Sequence, residues 1–112
     1  MTTTAIQLGM VKRSAKFDVT RTYRYALRIE WGMALPTVTF IMLNPSTADE
    51  VKNDPTVERC QRRAQRMGFG ALYVVNLFAL RSTDPRALYV AEDPVGPEND
   101  YYLVTAAKDS SL

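Results

Sequence analysis

Apolar residues recur along this chain with two different periods, and each change of period marks an element. Tyr23, Tyr25, Leu27, Ile29 and Trp31 alternate with Arg24, Ala26, Arg28 and Glu30. A period of two sends successive side chains to opposite faces. The segment therefore predicts a strand with one buried and one wet face, as in an antiparallel edge region. Ala15–Val19 predicts a second strand beside it, and Gly32 to Pro36 supply a turn. Thr37–Leu43 (TVTFIML) is almost continuously apolar, which predicts a strand covered on both faces.

After a polar loop the period lengthens. Val57, Cys60, Ala64 and Met67 follow one another at three, four and three residues, placing them on one face of a helix. Asp54 stands where an N-cap belongs, Pro55 suits the first helical position, and Gly68 can take the left-handed conformation that ends a helix. Ala71–Leu77 predicts the next buried strand. A strand, a helix and a strand in this order imply a right-handed parallel crossover. A short helix is expected from about Pro85. A longer one is expected from about Pro97 to Ala107, with Tyr102, Leu103 and Ala106 on its apolar face and a frayed end over 108–112. The expected architecture is a single α/β domain spanning 1–112: a small mixed sheet, with an N-terminal antiparallel hairpin joined to a parallel βαβ core.

Composition narrows the function classes. The chain of 112 residues is 46% hydrophobic and 23% charged, as in an ordinary globular domain. The apolar run from Val38 to Leu43 is far short of the ~20 residues needed to cross a bilayer. The first eight residues lack the basic flank and apolar core of a secretion signal. A cytoplasmic protein without membrane contact is the default expectation. Cys60 is the only cysteine and there is no histidine. No intrachain disulfide can form, and Ser-His-Asp and Cys-His mechanisms are excluded. No metal or cofactor is assigned.

Charge is unevenly spread. Residues 1–81 hold twelve Lys/Arg and six Asp/Glu, whereas 82–112 hold two and six. The basic part could meet phosphates or could be an ordinary solvated surface.

Candidate chemistry gathers where the parallel strands should end, which is where open parallel sheets place ligands. Asn44-Pro45-Ser46-Thr47 follows the first of these strands directly. An asparagine carboxamide both donates and accepts hydrogen bonds, so Asn44 could orient a water or read a base edge, or simply start a turn. Asp49 is a candidate for activating water or holding magnesium, while Asp54 reads as a cap. Asn76 lies inside an apolar run near the end of the second strand, where a buried amide needs partners. Arg81 could clamp a phosphate bidentately or pair with Asp84.

The segments IMLNPSTADEVKNDPTVERC, VVNLFALRSTDP and DPVGPENDYYL closely resemble the bacterial and phage family catalogued as domain of unknown function 1643, from about Phe17 to Leu103. A fainter similarity links the pattern to the uracil-DNA glycosylase superfamily, whose members carry a short polar motif, often with Asn-Pro, above a parallel sheet. Asn44 and Pro45 match that motif, and the resemblance implies that Asn44 holds the attacking water, with Ser46 and Thr47 beside a flipped nucleotide. The glycosylases also carry a second, His-Pro motif near their C-terminus, which is not found here. A glycosylase-like sheet lacking its last strand is the corresponding expectation.

Two functions follow. The first is a nucleotide- or nucleic-acid-interacting protein. If it were catalytic, it would perform N-glycosidic hydrolysis with Asn44 orienting water, Asp49 assisting, and Arg59, Arg63 and Arg81 holding phosphates. The second is a non-catalytic phage or bacterial interaction module that meets a partner protein through the same pocket or an exposed sheet edge, where a second copy could also pair.

Overall fold

The computed structural model describes residues 11–32 and 34–109. The expectations for the first eight residues and for 110–112 lie outside the described residues. Four strands and three helices follow in the order β1 (Lys12–Phe17), β2 (Arg24–Glu30), β3 (Thr37–Met42), α1 (Pro55–Arg66), β4 (Ala71–Asn76), α2 (Ala87–Val90) and α3 (Asn99–Asp109). They make a small mixed α/β fold with one four-stranded sheet, ordered β1-β2-β4-β3. The hairpin pair β1 and β2 is antiparallel, β2 and β4 are antiparallel, and β3 and β4 are parallel.

This order reverses two of the expected exposures. β4 inserts between the hairpin and β3, so β2 lies inside the sheet and its first four residues are all buried. β3, expected to be covered on both faces, forms an edge. Its Val38, Phe40 and Met42 pack with Val57, Cys60 and Ala64 of α1 and with Leu27, Ile29, Leu72 and Val74. On the other face, Ala26 and Val75 pack with Tyr102, Leu103 and Ala106 of α3. α3 sits on β2 and β4, and Ile41 of β3 stays 54% exposed. A continuous apolar run does not distinguish a doubly covered strand from an edge with small β-branched residues on its open face.

The helix signals are realised. Asp54 caps α1 by accepting from Val57 N at 2.8 Å, and Pro55 opens the helix. At the other end Gly68 has φ +90°. Gly68 N donates to Gln65 O and Phe69 N to Ala64 O, which is a Schellman motif. Cys60 is half-buried among apolar neighbours, and burial raises its thiol pKa. No helix among the described residues is long and apolar enough to cross a membrane.

One local irregularity positions the site. Lys16 pairs with Ala26 while the next residue, Phe17, pairs with Arg24. Tyr25 is thus an extra residue in β2, a β-bulge. A one-residue slip moves each following side chain to the opposite face. Tyr25, which simple alternation groups with Leu27 and Ile29, instead stacks on Tyr102 of α3 with ring centroids 5.2 Å apart. Arg24, grouped with the wet face, turns inward instead, and its Nη1 donates to Ala48 O at 3.0 Å.

Candidate ligand cleft at the polar end of the sheet

β3 and β4 end in register, Met42 beside Asn76, and the chain continues to pair beyond them. Leu77 N donates to Met42 O, Phe78 N to Leu43 O, and Ser82 N to Pro45 O. The two polar tips therefore share one cleft. Asn44 and Asn76 line a single small cavity of about 50 Å³ together with Arg24, Ser46, Asp54 and Thr56. Ser46 also lines an outer groove of about 300 Å³, with Arg21, Thr22, Thr47, Arg81, Ser82 and Thr83.

Several candidate residues are engaged with the protein itself. Asn44 Nδ2 donates to Pro45 O, Ser82 O and, at 3.5 Å, Leu80 O. Asn44 thus staples the loop after β3 to the loop after β4, and only its carbonyl oxygen remains to meet a ligand or water. Asp49 Oδ1 accepts from Val51 N and Lys52 N at 2.8 and 2.7 Å. Those backbone donors are the main reason its carboxyl pKa is lowered. A carboxylate stabilised in its ionised form and closing its own turn is a weak base. Asp54 has two tasks: Oδ1 caps α1 while Oδ2 accepts from Ala48 N at 3.1 Å.

Arginines hold the loop between β3 and α1 from three directions. Arg13 Nη2 donates to Asp49 O and Lys52 O, both at 2.8 Å. Arg24 holds Ala48 O. Arg81 donates to Ser46 O, Thr47 O and Arg21 O at 3.2–3.4 Å. Arg81 does not pair with Asp84, whose partner is Arg86 at 2.9 Å. Arg21 forms a bidentate pair with Glu50, and the guanidiniums of Arg21 and Arg81 both lie over the Phe17 ring. Arg59 and Arg63 are on the exposed face of α1 and line neither the cavity nor the groove. Their assignment to phosphates rests on the basic stretch of the chain, and α1 holds them on its solvent face, outside both spaces.

The residues that sequence reasoning missed are among the most buried. Arg24 is 1% exposed. Burial lowers its pKa to about 10, against the opposing pull of Asp54, so it is charged at neutral pH. Its Nε–H has no partner, and neither does Oδ1 of Asn76. Asn99 is fully buried, and its Nδ2 donates to Asn76 O and Leu77 O at 2.8 and 3.1 Å. Asn99 thus satisfies the carbonyls at the end of β4, while the tie between the two loops is made by Asn44. The bulge at Tyr25 leaves no interruption in the alternating pattern, so Arg24 carried no signal. Asn99, one turn ahead of an apolar helix face, carried a faint one.

Among the described residues, no group of three or more His, Cys, Asp or Glu side chains is arranged to hold a metal ion. The fold and the cleft together define a small α/β protein with a polar pocket at the ends of a parallel strand pair. The chain belongs to a family described as a protein of unknown function, DUF1643, whose profile matches residues 24–112. No curated protein and no solved structure matches it. The glycosylase likeness therefore receives no support from these comparisons.

Proposed function

We propose that the chain binds a nucleotide or a nucleic-acid strand through its phosphates, in the cleft where β3 and β4 end. The outer groove carries this reading. Arg21, Arg81 and five hydroxyl-bearing residues line it, and no carboxylate residue does. Guanidinium and hydroxyl groups are the usual phosphate partners. The Arg21–Glu50 pair is exposed on both sides, and such pairs exchange partners at little cost. Binding without hydrolysis fits the engaged state of Asn44 and Asp49 better than N-glycosidic cleavage does. Fluorescence anisotropy with a labelled single-stranded oligonucleotide tests the reading. Arg81→Ala should weaken binding about five- to tenfold and flatten its salt dependence by about one counterion. Equal affinity in the variant, or no salt-sensitive binding by the native chain, would sink it.

A second reading rests on the edge of β3. Its sequence TVTFIM has no charged residue, and Ile41 within it and Leu43 just beyond it are about half exposed. The opposite edge, KRSAKF, is guarded by Lys12, Arg13 and Lys16, the usual protection against strand addition. On this reading a second copy or a partner protein pairs with β3. A dimer in sedimentation experiments that dissociates on Ile41→Lys supports it; a monomer at all concentrations removes the self-pairing form.

A further inference from the structure

The small inner cavity differs from the groove outside it in what is left unbonded. Asn44 Nδ2 is engaged by backbone carbonyls, both Asp54 oxygens by backbone N–H groups, and Arg24 Nη1 by Ala48 O. Of the lining atoms closed to solvent, one donor and one acceptor have no partner, Arg24 Nε–H and Asn76 Oδ1; the Asn44 carbonyl oxygen is a further unbonded acceptor. Arg24 and Asn76 line the same cavity and arrive from adjacent strands, β2 and β4. Buried polar groups are nearly always satisfied, and an unpaired donor and acceptor on two residues that line one cavity, each closed to a water-sized atom until the lining shifts, are an unmet demand for partners. Arg24 is placed there by the bulge at Tyr25, a device that re-aims side chains beside functional sites.

We propose that this cavity binds the edge of a small neutral ligand that presents a carbonyl next to an N–H, as carboxamides, ureides and lactams do. The carbonyl accepts from Arg24 Nε–H and the N–H donates to Asn76 Oδ1. Arg24 and Asp54 contribute opposite charges to the lining, which suits a neutral dipolar group better than a free anion. With about 50 Å³ open to the centre of a water-sized sphere, where one water needs ~10–15 Å³, the cavity has room for an amide-sized group or a few waters. Thr56 is exposed at its margin, and Ser46 joins it to the outer groove. A larger molecule can thus place its polar edge inside and its charged part outside. The inference deepens the proposed cleft but does not depend on the phosphate contacts.

Nuclear magnetic resonance of the labelled native chain tests it, because the side-chain Nε–Hε signal of Arg24 reports the orphaned donor directly. Acetamide should shift that signal saturably. Acetone, of the same shape but without the N–H, should bind about tenfold more weakly, since it leaves Asn76 Oδ1 unmet. Asn76→Leu should abolish the acetamide response while keeping the native spectrum. No response at Arg24, or equal responses to both probes, overturns the proposal and leaves a pocket that holds only water. If Asn76→Leu fails to fold, the two probes on the native chain still decide. Shifts confined to Arg21 and Arg81 would remove the inner site and spare the groove. A specific acetamide response together with undiminished oligonucleotide binding by Arg81→Ala would do the reverse.

Discussion

The two ends of the sheet handle their polar groups in opposite ways. At the end where β3 and β4 begin, backbone mainly meets backbone, joined by one indole. Trp31 N and Gly32 N both donate to Gly70 O, Gly70 N donates to Pro36 O, and Trp31 Nε1 donates to Phe69 O at 2.9 Å. At the end where the parallel strands finish, side chains do this work. Asn44 and Asn99 use their amides to satisfy carbonyls of the chain leaving β4, and Arg13, Arg24 and Arg81 hold the carbonyls of the loop before α1. There Arg24 Nε and Asn76 Oδ1 are left over, as are Arg13 Nε and Asn99 Oδ1. An end whose donors are met in this way reads as structure. An end that keeps a buried donor and acceptor unmatched reads as a place for a ligand.

The largest effect belongs to the closed end. A Cβ placed on Gly70 would lie 2.0 Å from Gly32 O and 2.7 Å from Leu35 Cβ. The obstacle is backbone, which cannot rotate away. Gly70→Ala should therefore destabilise the chain by more than ~4 kcal/mol, at the far end of what single substitutions do, as measured by urea unfolding. A loss within about 1 kcal/mol would mean that the turn between β2 and β3 yields, and the closed end would lose its distinction.

How much of this was legible depends on which force set each feature. Asp54, Pro55 and Gly68 act through local backbone chemistry, and the sequence displays local chemistry. The parallel pairing of β3 and β4 followed from a helix between two apolar runs. The order of strands did not follow, because nothing within Thr37–Leu43 or Tyr23–Trp31 states which neighbour β4 will choose. Asn44, Ser46, Thr47, Asn76 and Arg81 were legible as a group, since a strand end fixes where a polar tip must go. Their individual hydrogen bonds were not. Arg24 was invisible for a specific reason: one bulged residue reverses the inside and outside of a strand without altering its pattern of residue types.

The sharpest test of the contrast lies between two asparagines at the open end. Asn99 and Asn76 are both buried, and composition alone would rank them as equivalent. Asn99 donates to two carbonyls that leave β4. Asn99→Ala strips partners from Asn76 O and Leu77 O and should cost about 2–3 kcal/mol, the penalty for unmet buried acceptors. Asn99→Asp should cost at least as much, because it sets a carboxylate against the same carbonyls. For Asn76→Leu the expectation has a different sign. The side chain keeps its branched shape and sheds an oxygen that has no partner. Its stability should change by less than about 1 kcal/mol, or rise, while the binding response of the inner cavity disappears. Denaturant midpoints for the three variants, with unchanged slopes, measure this directly. If Asn76→Leu proves as costly as Asn99→Ala, then Asn76 is part of the frame. The open end would then be a second closed one whose bonds run through water.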